Sequence, residues 1–419
     1  VQIEPRRSQR RTSCKYKSVS QVVAAIDEPN QGPLTSVFPD IEEEQDPQHY
    51  RRDMYNAVFK AKRSKSSTDP DTLDWNQAMA SEHRSKFLEA AQEEIDALTE
   101  KGTWYEDEMC NATTKVIPSK WVFRIKRTSD GSIRKFKGRI VLRGDLQEDK
   151  GEDNYSPVAA WATVRSFLLI SIIKKWITTS IDFSNAFVQS TLDSEDPVWM
   201  QVPRGYRSTN GPGYCLRLVK SLYGHVAAPK LWFNHSSQAF IALGLKQSNY
   251  DECLWYGDEI MVVQYVDDCG ISAPNKERID EFVEALRMYG LELTQEASFE
   301  EFLGIKFKYN SDGSVEWTHR GLIQKILQTA DMESCNPNST PALQTTLGAH
   351  KDSGPMDEGW NYRGICGMLL YLSTNTRPDI AFGVSQVCRF SSNPNKPHAT
   401  AVKTILRYLK KTEDKGLTI

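Results

Sequence analysis

No cysteine of this chain has a near neighbour of its own kind. The eight stand at 14, 110, 215, 253, 269, 335, 366 and 388, and no two are closer than Cys253 and Cys269. A Cys-x-x-Cys pair or a Cys/His cluster is missing, which argues against the common zinc frameworks. Scattered single thiols suit a reduced, intracellular protein. Long apolar runs are missing too. The longest, Phe167–Ile173, is far short of the roughly 20 residues a membrane span needs, and no secretory leader is visible at the N-terminus. An excess of one charge is also missing: a net charge of −3 and a pI near 6.2 do not announce a nucleic-acid binder. There are no internal repeats. The chain begins with Val1 rather than Met, which suggests a piece of something longer. With 419 residues, 39% hydrophobic, it can build a large core spread over two or three domains or subdomains.

What is present centres on Met261–Ser272, where two apolar, β-prone runs flank Asp267 and Asp268. The pattern predicts a hairpin with both aspartates at its tip. Taken alone, such a pair is most often a solvated turn, because Asp satisfies local backbone groups. The competing reading is a divalent-metal site, with rigid strands holding hard oxygen ligands for phosphoryl transfer. That reading needs another carboxylate. Ile177–Ile181 reads as a buried strand delivering Asp182 at its end, running into a helix. A carboxylate there is costly unless paired or metal-bound, although an N-cap role explains it as well.

Charge is unevenly distributed along the chain. Residues 1–71 mix basic clusters such as Arg6–Arg11 with an acidic stretch, have weak periodicity, and read as a disordered linker. Between 115 and 143 ten Lys/Arg face the single acid Asp130, in a strand–turn–strand pattern around Ser129–Ser132. Such a hairpin is a ready clamp for phosphates, or else an edge protected by lysines. Leu88, Ala91, Ile95 and Leu98 predict a packing helix closed by Gly102. Further helices are expected over 164–173, 229–242 and 275–289. Strands are expected at 199–203, 299–307 and 314–318, and a mostly helical remainder after 320.

These blocks, in this order, resemble the reverse transcriptase region of copia-type LTR retrotransposon polyproteins. The resemblance covers about 74–415. It is carried by Lys101–Trp104, Trp121–Phe123, Lys137–Val141, Tyr155–Ala159, Ile181–Phe187, Ser221–Gly224, Tyr265–Asp268, Phe302–Ile305, Thr340-Pro341, Thr376–Ala381 and Ile405–Lys410. It implies an α+β right-hand polymerase with a ferredoxin-like palm sheet. Fingers and palm would span 72–319 and a helical thumb or connection 320–419, ending before an RNase H domain, with the basic linker following integrase. The implied activity is RNA-directed DNA synthesis on an RNA or DNA template with a primer, using dNTPs. The implied setting is a cytoplasmic virus-like particle, with the nucleus as a second compartment, and no membrane.

The resemblance also implies roles. Asp182 and Asp267 would bind two Mg²⁺ ions, with Mn²⁺ an alternative, and Asp268 would complete the acidic cluster. Arg139 and Lys137 would hold the nucleotide's phosphates, a task that suits the planar guanidinium. Phe187 would lie under the sugar and exclude a 2′-OH, unless it is an ordinary core residue. Tyr223 would also line the nucleotide site. Tyr265, Phe302, Leu303 and Gly304 would contact primer and template. One position departs from the family: Ala227 stands where the family has a Gln whose amide supports the sugar. Either a neighbour such as His225 substitutes, or nucleotide binding is weakened, or the copy is a decayed nucleic-acid-binding remnant.

Overall fold

Among the described residues Asp74 starts the first helix through a reciprocal cap: its carboxylate accepts from the Gln77 amide at 2.9 Å, and the Gln77 side chain accepts from the Asp74 amide at 2.9 Å. The computed structural model describes residues 71–127, 133–148, 151, 153–296, 299–342, 347–349, 353–356 and 359–419. The expected linker, up to residue 70, and the Ser129–Ser132 turn lie outside the described residues.

The first part comprises β1 (Thr72–Leu73), α1 (Trp75–Ala80), α2 (Arg84–Glu100), β2 (Trp104–Glu108), β3 (Ser119–Arg127) and β4 (Ile133–Leu142). Helix α2 buries Phe87, Ala91, Ile95 and Leu98, while Leu88 is exposed, so the apolar ridge begins one residue before the expected one. Strands β1, β3 and β4 form a sheet whose pairs Trp121↔Ile140, Phe123↔Gly138 and Ile125↔Phe136 face α2. Side chains alternate across a strand, so the other face carries Lys120, Arg124 and Lys126 on β3 with Lys135, Lys137 and Arg139 on β4. Gly138 has a steric reason: a Cβ there would lie 3.1 Å from the Ala90 carbonyl, so only glycine lets α2 rest this close to β4.

The central part continues with α3 (Trp161–Lys174), β5 (Ile177–Phe183), β6 (Val198–Met200), β7 (Tyr214–Leu218) and α4 (Ala228–Ala242). Next come β8 (Lys246–Gln247), β9 (Leu254–Gly257), β10 (Ile260–Tyr265), β11 (Asp268–Ala273), α5 (Lys276–Met288) and β12 (Leu293–Gln295). Strands β2, β7 and β6 form a small antiparallel sheet. The main sheet has the order β12-β5-β11-β10-β9-β8 and is antiparallel throughout. Its first four strands, with α4 and α5 as crossovers, reproduce the ferredoxin-like order expected of a palm. Helix α5 buries Ile279, Phe282, Val283 and Leu286, as its periodicity predicts.

The last part holds β13 (Glu301–Phe302), β14 (Ile305–Tyr309), β15 (Val315–Thr318), α6 (Arg320–Thr329), α7 (Tyr362–Asn375), α8 (Ala381–Cys388), α9 (Lys396–Lys411) and β16 (Leu417–Thr418). The expected strand over 299–307 breaks at Leu303-Gly304 into a hairpin. The mostly helical ending also carries the short strand β16, which pairs with β15 through Trp317↔Leu417. Helices α6 to α9 enclose their own core around Ile323, Leu369, Leu372 and Ile405. Beside it Arg377 is almost fully buried, held by both oxygens of Asp379 at 2.9 and 2.8 Å and by the Thr412 carbonyl at 2.8 Å. A buried guanidinium needs this full set of partners. Among the described residues no helix is long and apolar enough to cross a membrane.

Candidate active site

The β10–β11 hairpin turns one residue earlier than expected. Tyr265 pairs with Asp268, so the two-residue loop is Val266-Asp267, and Asp268 is the first residue of β11. Val266 has φ +59°, a left-handed conformation that a β-branched residue adopts only under constraint. The constraint is visible. The Val266 carbonyl accepts from Trp232 Nε1 at 2.7 Å and from Gln264 Nε2 at 3.3 Å. The Asp267 carbonyl accepts from the Phe183 amide at 2.9 Å. The turn is therefore bonded to α4, to its own strand and to β5, and its carboxylates are held at a fixed place.

Asp182 and Asp268 are direct ladder partners on β5 and β11, so their side chains share one face. Asp182 caps no helix: the short 3-10 turn after β5 begins at Ala186, with Asn185 at its cap position. Asp268 is half-buried, and its carboxyl is pushed up to about 6 by loss of water first and by Asp267 and Asp182 next. Asp182 is more open to solvent but is also raised, by partial desolvation and then by Asp267, against the pull of Lys137, Lys126 and Arg139. The three aspartates therefore act on one another. They do not form a closed cage: among the described residues, no three His, Cys, Asp or Glu side chains converge tightly enough to hold a metal ion. Like charges in a water-poor site keep apart. Hard carboxylate oxygens with raised proton affinity nonetheless fit Mg²⁺ or Mn²⁺, whose charge would remove that repulsion.

Across from the carboxylates stands the cationic face. The Arg139 guanidinium lies 4.6 Å from the centre of the Tyr223 ring. Tyr223 in turn meets Phe187 edge-on, with ring centres 5.1 Å apart. Burial raises the Tyr223 hydroxyl, which also feels Arg139, Asp267 and Asp182. Lys137 is lowered by burial and by its neighbours Arg139 and Lys126, while Asp182 acts in the other direction. The predicted nucleotide residues Lys137, Arg139, Phe187 and Tyr223 are thus in one place beside Asp182 and Asp267. Gly224 fixes this cluster to β4: its φ is +86°, and a Cβ would come 2.2 Å from the Leu142 carbonyl. The Leu142 amide also donates to the Tyr223 carbonyl at 2.7 Å. Ala227 stands at the N-cap of α4. His225 is buried, with its ring Nδ1 3.5 Å from Ser221 Oγ.

The Phe302–Ile305 hairpin also has a two-residue loop, with φ +54° at Leu303 and +80° at Gly304. Phe302 is 3% exposed and packs on Phe299 with ring centres 5.2 Å apart. Its side chain is core, which corrects the expectation that it touches primer; Leu303 is partly buried against the same core. Tyr371 on α7, which sequence reasoning missed, donates its hydroxyl to the Leu303 carbonyl at 3.2 Å and lies in the field of Tyr265. Nothing in the sequence around Tyr371 signals this, because the contact joins positions 68 residues apart.

A sequence model of the family described as "Reverse transcriptase (RNA-dependent DNA polymerase)" matches residues 107–344. The chain is 29% identical over 350 residues to the Retrovirus-related Pol polyprotein from transposon RE2 of Arabidopsis thaliana, covering 82% of this chain and 23% of that protein. It is 28% identical over 360 residues to the corresponding polyprotein from transposon TNT 1-94 of Nicotiana tabacum, covering 82% and 26%. The chain thus spans about a quarter of the length of the curated relatives it matches. Among solved structures it is similar to a foamy viral protease-reverse transcriptase in complex with double-stranded DNA, at a TM-score of 0.44 and 15% identity, covering 78% of this chain and 48% of that one. With the family model matched over more than half of its length, the chain belongs to the reverse transcriptase family, as the ladder of Asp182 against Asp268 and the copia-type blocks led one to expect.

Proposed function

We propose that this chain is the RNA-directed DNA polymerase segment of a retrotransposon polyprotein, extending a primer 3′-OH with dNTPs on an RNA or DNA template. The observation that carries the reading is the pairing of Asp182 with Asp268, beside the Asp267 turn and facing the Arg139–Tyr223–Phe187 cluster. Acid and base of this kind on opposite walls suit a triphosphate: cations hold its phosphates while carboxylates gather divalent ions at the reacting end. Asp182, Asp267 and Asp268 would hold Mg²⁺, which supplies a more acidic primer hydroxyl and charge compensation for the leaving pyrophosphate.

The chain's own residues do the rest. Arg139 and Lys137 bind the phosphates, and stacking on Tyr223 fixes the plane of the Arg139 fork. Phe187, edge-on to Tyr223, closes the space under the sugar against a 2′-OH. Lys120, Arg124, Lys126 and Lys135, all exposed on the hairpin face, track the template backbone. The hairpin sheet and the six-stranded sheet act as fingers and palm, and α6 to α9 as thumb or connection. Integrase and RNase H belong to the remainder of the polyprotein. Primer extension on an RNA template with Mg²⁺ tests the reading: a folded protein that binds template and incorporates no dNTP would sink it.

A further inference from the structure

Neither the motif blocks nor the roles above account for Glu94, a partly buried carboxylate near the cationic face. It stands on α2, one turn after Ala90, whose carbonyl approaches β4 at Gly138. Strand β4 is the edge of its sheet, so alternate backbone amides on it point outward, and the Glu94 carboxylate accepts from one of them, at Ile140. That bond needs one oxygen only. The other, Oε1, is buried and has no hydrogen-bond partner among the described residues, and the same is true of Arg139 Nε. Leaving a carboxylate oxygen dry and unbonded is costly. Burial raises the Glu94 carboxyl, and the charges of Lys137 and Arg139 pull it back toward its ionised form. The adjacent Glu93 reaches Lys135 at 3.6 Å, but both of those side chains are well exposed.

We propose that Glu94 is a positioning residue for Lys137 and Arg139, setting their side chains toward an incoming nucleoside triphosphate. This rests on the assignment of those two residues to nucleotide binding. Lys137 is pressed by like charge, from Arg139 on its own strand, from Arg124 directly opposite and from Lys126 on β3. Among the described residues, Glu94 on α2 and Asp182 on β5 oppose that pressure. Asp182 would be engaged with metal during synthesis, which leaves Glu94 as the lasting counter-charge.

The test uses Glu94→Gln, Glu94→Ala and Glu94→Asp in the full chain. Gln keeps an acceptor for the Ile140 amide and removes the charge. Glu94→Gln should raise the KM for dTTP about tenfold with kcat within about twofold, the signature of lost nucleotide binding. The alkaline limb of kcat/KM should move to lower pH, because Lys137 loses a group that favours its protonated form. Glu94→Asp should restore part of the KM. If Glu94→Gln behaves as wild type while Glu94→Ala fails, the residue only caps an edge and the proposal falls; an unmoved alkaline limb also overturns it. Calorimetric binding of Mg²⁺–dTTP without primer separates this from the polymerase reading. A wild-type chain that extends no primer but binds dTTP more tightly than Glu94→Gln would overturn the proposed function and support Glu94. A wild-type chain that neither extends nor binds would overturn both.

Discussion

The carboxylate face of the main sheet and the cationic face of the β3–β4 hairpin are both assemblies of like charge, yet they are built differently. On the acidic side Asp182 and Asp268 sit in the middle of a six-stranded sheet, and Asp267 rides on a turn bonded at two carbonyls. On the basic side Arg124 opposes Lys137 and Lys126 opposes Lys135, on a sheet of three strands with β4 at its edge. Around Asp268 loss of water first, and the repulsion of Asp267 and Asp182 next, raise its proton affinity. Around Lys120, Arg124, Lys126 and Lys135 water is plentiful and screens the charges. A half-buried, braced cluster suits ligands that must be placed to a fraction of an ångström. An exposed rail suits a polymer that must slide.

The comparison breaks most completely if the acidic side is not catalytic. Asp267→Asn should lower kcat for primer extension by about 10³-fold or more while far-ultraviolet circular dichroism stays unchanged; residual activity above a few per cent would refute the role. On the basic side the loss should be in binding. Arg139→Ala should raise the KM for dTTP by roughly 10- to 100-fold, a cost in line with losing a charge-assisted phosphate contact. Arg124→Gln with Lys126→Gln should weaken template binding and make the slope of log K against log salt shallower by about 1 to 2, read by fluorescence anisotropy.

Stability should respond in the opposite sense to activity. The Asp268 carboxyl lies at about 6 in the folded protein against an ordinary 3.8, so the folded state holds the proton more tightly. In chelator, stability therefore falls as pH rises from about 4 to about 6, and the loss is complete above that window. Asp268→Asn should melt higher than wild type at pH 8 and converge with it near pH 4; equal melting temperatures at pH 8 would show that the cluster carries no such penalty. Added Mg²⁺ should raise the wild-type melting temperature more than the variant's. The smallest effect belongs to Ala227→Gln. It should lower the KM for dTTP by about twofold to fivefold, the size expected of one added neutral hydrogen bond.

Much of this was legible in the sequence because the signals were local. Apolar runs on both sides of Asp267-Asp268 mark a hairpin, and the alternation of Lys/Arg with Trp121, Phe123 and Ile125 marks a two-faced one. The ferredoxin-like palm was implied by the resemblance, while β12, which completes it, carried no strand signal of its own in the sequence. What escaped depends on contacts between distant segments. The helical spacing of α2 admits a ridge starting at Phe87 or at Leu88, and only packing against β4 chooses Phe87. Phe302 reads as a loop aromatic until Phe299 and Phe307 close around it. Trp232 and Gln264 become supports of the Asp267 turn only when α4 crosses the sheet. Glu94 has the look of any helix-surface glutamate.

The contact at Gly224 sets how the sequence of such an element can drift between generations. Any other residue there would drive a side-chain carbon into the Leu142 carbonyl, and β4 would shift together with Arg139, three positions earlier. Ala227, three positions after Gly224, stands at the N-cap of α4 with no side-chain capping bond to lose on exchange. In a population of copies accumulating random changes, a lesion at 224 should mark a dead copy, while variation at 227 should be found among copies that still move.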